Sequence, residues 1–214
     1  MITIGVSGFA KSGKDTVADA ASEMMEEMGY TCLKVPFAYK LKRITMDKYQ
    51  IGKTGSGEKS PIERAKFQKV GADGRIFYKE VWIDLSKARI LELLNDKNIP
   101  LDDKLVVFHS DVRHLNECEF ILTTKDAFLL CVDSDLRQGD ALNDDMYKHE
   151  SEIYIPEIRG IAKVHCSGVV IANNGPLKNT LSNLRSILYS RYAEKNNTKI
   201  LNMCKGILWK NKTL

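Results

Sequence analysis

Apolar positions along the chain fall into two alternating patterns. Short, nearly unbroken apolar runs at 2–7, Cys32–Phe37, Leu105–His109, Ala127–Val132 and Gly168–Ala172 predict five buried strands. Between them the spacing turns helical. Over 15–28, Val17, Ala20, Ala21, Met24, Met25 and Met28 fall on one helical face, and Gly29 is a fitting stop. The methionines of that stripe read as core packing. Tyr39–Tyr49, Ile62–Val70, roughly Tyr78–Asn95 and Leu177–Lys195 also read as helices, while Asn116–Thr123 is short and ambiguous. The polar stretch 50–62, with three glycines, predicts a mobile loop, and the charged stretch 133–152 a lid. Strands alternating with helices predict an α/β, three-layer fold with a central parallel five-stranded sheet. No repeat and no Pro/Ser-rich linker divides residues 1–214, so one domain is expected, with an acceptor-binding segment at about 38–100 besides the lid.

The strongest chemical signal sits between the first strand and the first helix: Gly8-Phe-Ala-Lys11-Ser12-Gly13-Lys14-Asp15-Thr16. This is the phosphate-loop (P-loop) spacing in the strand–turn–helix context it requires. Glycines let consecutive backbone N–H groups point into one hollow, and the helix N-terminus adds free donors and partial positive charge. Lys14 can reach the β- and γ-phosphates of a bound nucleotide. Asp15 stands where a Ser or Thr is usual, and the hydroxyl comes one later, at Thr16. Asp15 can meet Mg²⁺ through water or simply favour the helix N-terminus.

Other candidates lie at strand ends, where ligands bind in open α/β sheets. Asp111, just past the predicted third strand, can hold Mg²⁺ or orient an acceptor, and Arg113 can clamp a phosphate bidentately. Gln68, Arg75, Tyr78 and Trp82 offer the amide, guanidinium and aromatic groups that an acceptor nucleotide wants. Arg137, in the lid, is placed to stabilise a transferring phosphoryl group. Asn173 and Gly175 end the last strand in a turn that propensity alone would predict.

Composition narrows the partners. Lys plus Arg number 32 and Asp plus Glu 28, for a net charge of +4 dispersed along the chain. That permits an anionic ligand and gives no concentrated patch for nucleic acid. No apolar run is long enough to span a membrane, and the N-terminus does not read as a signal peptide. Five scattered cysteines form no CxxC pair, so thiols in a reducing cytoplasm are expected.

Several stretches together resemble the bacteriophage deoxynucleoside monophosphate kinase family, a P-loop group similar in fold to adenylate kinase. They are Ser7–Thr16, Phe37-Ala38 with Leu41-Lys42, Phe67-Gln68 through Arg75 followed by Trp82, Asp111-Val-Arg113 with Asn116-Glu117, His149-Glu-Ser-Glu152, and Ile171 through Leu177. The resemblance implies transfer of the ATP γ-phosphate to a deoxynucleoside 5′-monophosphate, with ATP and Mg²⁺ as cofactors. It implies that Gly8 to Thr16 hold the donor phosphates, with Asp15 and Asp111 near Mg²⁺. Arg75 and Arg113 would bind the acceptor phosphate, with Lys42 on the same side, and Gln68 and Trp82 would shape the base site. Arg137 would come from the lid, and Asn173 and Gly175 would flank the donor adenine. Catalysis would rest on Lys14, Asp111 and Arg137. Family members often pair, so a homodimer is compatible, though no sequence stripe forces it. The first motif is also shared with dephospho-CoA and phosphomevalonate kinases, and a nucleotide-sensing module that binds without transferring phosphate is the alternative from another class.

Overall fold

A computed structural model of the chain describes residues 1–51, 60–134 and 150–193. Strands β1 (Ile2–Ser7), β2 (Thr31–Lys34), β3 (Leu105–Val112), β4 (Ala127–Asp133) and β5 (Gly168–Ala172) form one sheet in the order β2-β3-β1-β4-β5. Every adjacent pair is parallel. The apolar runs follow from this position: β1 has a strand on each side and helices on both faces, and all six of its residues are buried.

The described helices are α1 (Lys14–Glu27), α2 (Tyr39–Tyr49), α3 (Pro61–Phe77), α4 (Val81–Asp96), α5 (Leu115–Thr123), α6 (Glu150–Ile153), α7 (Ile155–Val164) and α8 (Leu177–Leu188), the last continued by a π turn, Tyr189–Ala193. On one face of the sheet Val17 and Met25 of α1 and Leu184 and Leu188 of α8 pack against Ile4, Phe108 and Leu130. On the other, Cys118 and Ile121 of α5 and Ile158 and Ala162 of α7 pack against Val112 and Leu129. Ile90 and Leu94 of α4 cover Leu33 and Val107 near the β2 edge.

The five predicted strands and the α1 stripe are present, with shifted ends. β3 runs on to Val112, so Asp111 lies within the strand rather than past it. β2 stops at Lys34, although the Val35 N–H still donates to the Phe108 carbonyl at 2.8 Å. α3 starts at Pro61, behind a capping box in which Ser60 and Glu63 satisfy each other's backbone N–H groups, and continues through Gly71 and Gly74. The ambiguous stretch 116–123 is helical. α7 falls where no element was predicted. Most of the predicted mobile loop (52–59), most of the predicted lid (135–149, with Arg137 and His149) and the tail from 194 lie outside the described residues. Among the described residues, Cys32, Cys118, Cys131 and Cys166 are free thiols, and no helix is long and apolar enough to cross a membrane.

Candidate phosphate-binding site

The loop leaves the sheet at its centre. Ser7, the last residue of β1, is in register with Val112 of β3 and Cys131 of β4, and its hydroxyl donates to the Val112 carbonyl at 2.7 Å. In strand order this is the switch point, where connections diverge to opposite sides and leave a crevice. Gly8 lies hard against the sheet: a Cβ there would come within 2.7 Å of Ser12 Oγ and 2.9 Å of the Val132 carbonyl. Lys11 (φ 63°) and Gly13 (φ 85°) both turn left-handed, which curls the loop back onto α1. Gly13 N-caps α1 without a side-chain hydrogen bond, leaving the first amides of the helix for an anion.

Asn173, expected beside the donor adenine, spends its side chain on the loop. Its Nδ2 donates to the Ser12 carbonyl at 2.8 Å, and its Oδ1 accepts from Thr180 Oγ1 at 3.0 Å. A Cβ on Gly13 would sit 2.5 Å from that same Nδ2. Asn173 is 2% exposed and buttresses the loop from beneath, whereas Gly175 is exposed.

Lys14 is only 6% exposed, and burial pulls its pKa down; the Arg113 charge pushes the same way, partly offset by Asp15 and Asp111. Its Nζ stands 3.6 Å from the exposed Asp15 carboxylate. Thr16 is exposed. Ser12 Oγ is buried with no hydrogen-bond partner among the described residues. A desolvated ammonium, an unpartnered buried hydroxyl, uncapped helix amides and a cradle that a Cβ would fill fit a nucleotide's phosphates.

Of the acceptor-side candidates, Asp111 and Arg113 lie within electrostatic reach of Lys14. Both Asp111 oxygens accept backbone N–H groups, from Phe37 at 2.7 Å and Ala38 at 3.0 Å. Asp111, expected near Mg²⁺, therefore clamps the start of α2, with one lone pair per oxygen left for a water. Among the described residues no three His, Cys, Asp or Glu groups gather as a metal site; the two carboxylates expected near Mg²⁺, Asp15 and Asp111, both lie within electrostatic reach of Lys14. Arg113 pairs through Nη1 with Glu152 Oε1. Burial lowers its pKa, Asp111, Glu117 and Asp15 oppose this, and Arg64 adds to it. Arg75, on α3, is close enough to stabilise ionised Glu117.

Trp82, expected to shape the base site, is 5% exposed; its indole N–H donates to the Gly71 carbonyl at 3.1 Å and its ring abuts Gly74. It joins α4 to α3. Gln68 is half-buried, and Lys42 and Tyr78 are exposed. Lys42 and Gln68 carry no described side-chain hydrogen bond, while Tyr78 donates to Asp84 at 2.9 Å.

Three site residues had no role assigned from sequence. Glu117, 5% exposed, accepts from the Arg113 and His114 amides at 2.8 and 3.1 Å. Burial, then the Asp111 charge, pushes its carboxyl up to about 8. Glu152 is 3% exposed, and Arg64 lies within electrostatic reach of Arg113. Glu117 and Glu152 stand in stretches that carried the resemblance, but no spacing rule marks a buried glutamate.

The parallel sheet flanked by helices, with this loop at its centre, defines a P-loop α/β fold. No protein-family model matches the chain, and no curated protein matches it. Among solved structures it is similar to TT1252 from Thermus thermophilus, at 20% identity and a TM-score of 0.51 over 88% of this chain and 97% of that one. It is also similar to a gluconokinase from Sinorhizobium meliloti 1021, at 15% identity and a TM-score of 0.41 over 89% and 97%. A shikimate kinase from Acinetobacter baumannii, in complex with shikimate, gives 13% identity and a TM-score of 0.41 over 91% and 95%. The likeness to TT1252 is one of fold, and at their lower TM-scores the two kinases add no argument about function.

Proposed function

We propose that the chain is an ATP-dependent kinase that transfers the γ-phosphate to a deoxynucleoside 5′-monophosphate, giving the diphosphate. The observation that carries the phosphotransfer reading is the buried Lys14 on the loop with the half-buried Arg113 beside it. Lys14 on the loop and Arg113 at the end of β3 are close enough for each to feel shared charges, and burial lowers the pKa of both. A donor phosphate would relieve the cost of burying Lys14, and an acceptor phosphate would share the Arg113 guanidinium with Glu152. In-line transfer needs positioning and charge neutralisation rather than a covalent nucleophile. An ionised phosphate acceptor needs no strong general base. ATP supplies the phosphoryl group, and Mg²⁺, carried by the nucleotide, would spread the negative charge that develops. The deoxynucleotide acceptor rests on the sequence resemblance, together with Arg64 within electrostatic reach of Arg113 and Arg75 within reach of Glu117. Arg137 is proposed as the lid arginine on its sequence position alone.

The test is ADP release with ATP, Mg²⁺ and each of dAMP, dCMP, dGMP and dTMP, with dephospho-CoA as control. Turnover with one or more deoxynucleotides is expected. Turnover with the control alone would move the acceptor to another class and keep the kinase; ATP binding without any acceptor-dependent ADP release would make the chain a nucleotide-binding module.

A further inference from the structure

Glu152 is a buried glutamate whose two oxygens go to two parts of the candidate site. Oε2 accepts the backbone N–H of Ala10, inside the phosphate loop, at 2.9 Å. Oε1 pairs with Nη1 of Arg113. One carboxylate thus touches the donor loop and the acceptor arginine at once, from a third element, α6. Its exposure of 3% keeps water from competing for either contact. Arg113 is also fixed at its other end, where its backbone N–H donates to Glu117 at 2.8 Å. Two buried glutamates therefore hold this arginine by head and root.

We propose that Glu152 is a positioning residue that holds the donor-phosphate loop and the acceptor-side Arg113 in one register, so that the reacting phosphates meet in line. The proposal rests on the kinase reading. The loop does not depend on Glu152 for its own shape: Asn173 holds the Ser12 carbonyl, and the Ser12 N–H closes onto the Phe9 carbonyl at 3.1 Å. What Glu152 supplies is the span from Ala10 to Arg113. Nucleotide binding should survive its loss, and alignment should not. A misplacement of about 1 Å can cost about 10²-fold in rate.

Glu152→Gln is nearly isosteric but has one acceptor oxygen where two are needed, and its amide N–H₂ would face a second donor. Glu152→Asp keeps the charge and is one methylene too short to reach both partners. The experiment measures turnover of both variants with the best deoxynucleotide acceptor, together with calorimetric binding of a non-hydrolysable ATP analogue and thermal unfolding. Turnover per nucleotide-binding site should fall about 10- to 100-fold in Glu152→Gln, acceptor KM should rise, and analogue affinity should stay within about threefold. Glu152→Asp should recover part of the acceptor KM and less of the turnover. In the Arg113→Lys background, Glu152→Gln should cost far less than in the wild type, because the span is already broken. Unchanged turnover per binding site with a lowered unfolding temperature would make Glu152 a packing residue and overturn the proposal while leaving the kinase intact. An inert wild type would overturn the kinase reading and the proposal with it.

Discussion

Replacing Lys14 should abolish chemistry without costing the fold. Burial is the main cause of its lowered pKa, so the free protein holds this charge at a disadvantage, and its proposed role is phosphate binding rather than folding. Lys14→Ala should lose phosphotransfer by about 10²-fold or more, the scale of removing one positioned donor, and its unfolding temperature should not fall by more than a small cavity explains. Turnover near wild type would remove the lysine from the mechanism. Glu117 gives a second test. Its carboxyl is raised from an ordinary 4.5 to about 8, burial being the larger cause and Asp111 the next. A folded carboxyl that keeps its proton longer than the unfolded one contributes stability that is whole below about 4.5 and is lost as the pH climbs through about 8. The Arg113 and His114 amides both point to the single oxygen Oε2, which a glutamine carbonyl can replace. Glu117→Gln should therefore flatten urea stability across that window and leave the variant more stable than the wild type on its alkaline side; parallel pH curves would contradict this. At this scale the phosphate loop was legible in sequence because each position demands a residue type at a fixed local spacing. Glu152 was not, because its partner Ala10 lies 142 positions away and nothing local distinguishes a buried glutamate from a solvated one.

Glycines in α3 show where reading by propensity stopped short. Gly71 and Gly74 argue for ending the helix near Val70, since glycine costs about 1 kcal/mol relative to alanine in a helix interior. The helix nevertheless runs to Phe77, because both glycines face close neighbours. A Cβ on Gly71 would meet Leu41 Cδ1 at 2.9 Å, and one on Gly74 would meet Trp82 Cζ2 at 2.5 Å. The packing of α2, α3 and α4 sets the residue, not the local preference. Gly74→Ala therefore pits a helical gain of about 1 kcal/mol against an overpacking cost of about 1–3 kcal/mol, and the second should win. The Trp82 ring cannot retreat easily: it is 5% exposed and tied to the Gly71 carbonyl. The expected result is a net loss of up to about 2 kcal/mol in urea unfolding, with acceptor KM raised because Arg75 shifts with the helix. A stabilised variant would show that Trp82 has room. α7 escaped the sequence reading for the opposite reason. Its buried set, Ile155, Ile158 and Ala162, spans barely two turns and is interrupted by Gly160, and packing against β4 and β5 makes it a helix face.

At the scale of the whole molecule, the C-terminal ends of β1, β3 and β4 deliver the loop, Arg113 and Asp133 to one edge of the sheet, so a nucleotide bound there, as proposed, would stabilise the fold. A ligand at about 100 times its Kd adds about 2.7 kcal/mol to the folded state. For a chain of this size, each kcal/mol raises the unfolding temperature by about 2–4 °C. A saturating non-hydrolysable ATP analogue with Mg²⁺ should thus raise it by about 5–10 °C, and Lys14→Ala should lose most of that rise. The informative step is the second ligand. If Arg113 with Arg64 and Arg75 forms an acceptor site, an accepted deoxynucleotide added to the analogue complex should raise the temperature further, and that increment alone should vanish in Arg113→Gln. A protein that only senses nucleotide would show the first rise and no second, whichever acceptor is offered. Dephospho-CoA producing the second rise in place of all four deoxynucleotides would keep the two-anion site and change its occupant. The two increments can be measured without turnover, so they separate a site that binds two phosphates from one that binds a single nucleotide, even if the lid residues prove to govern the rate.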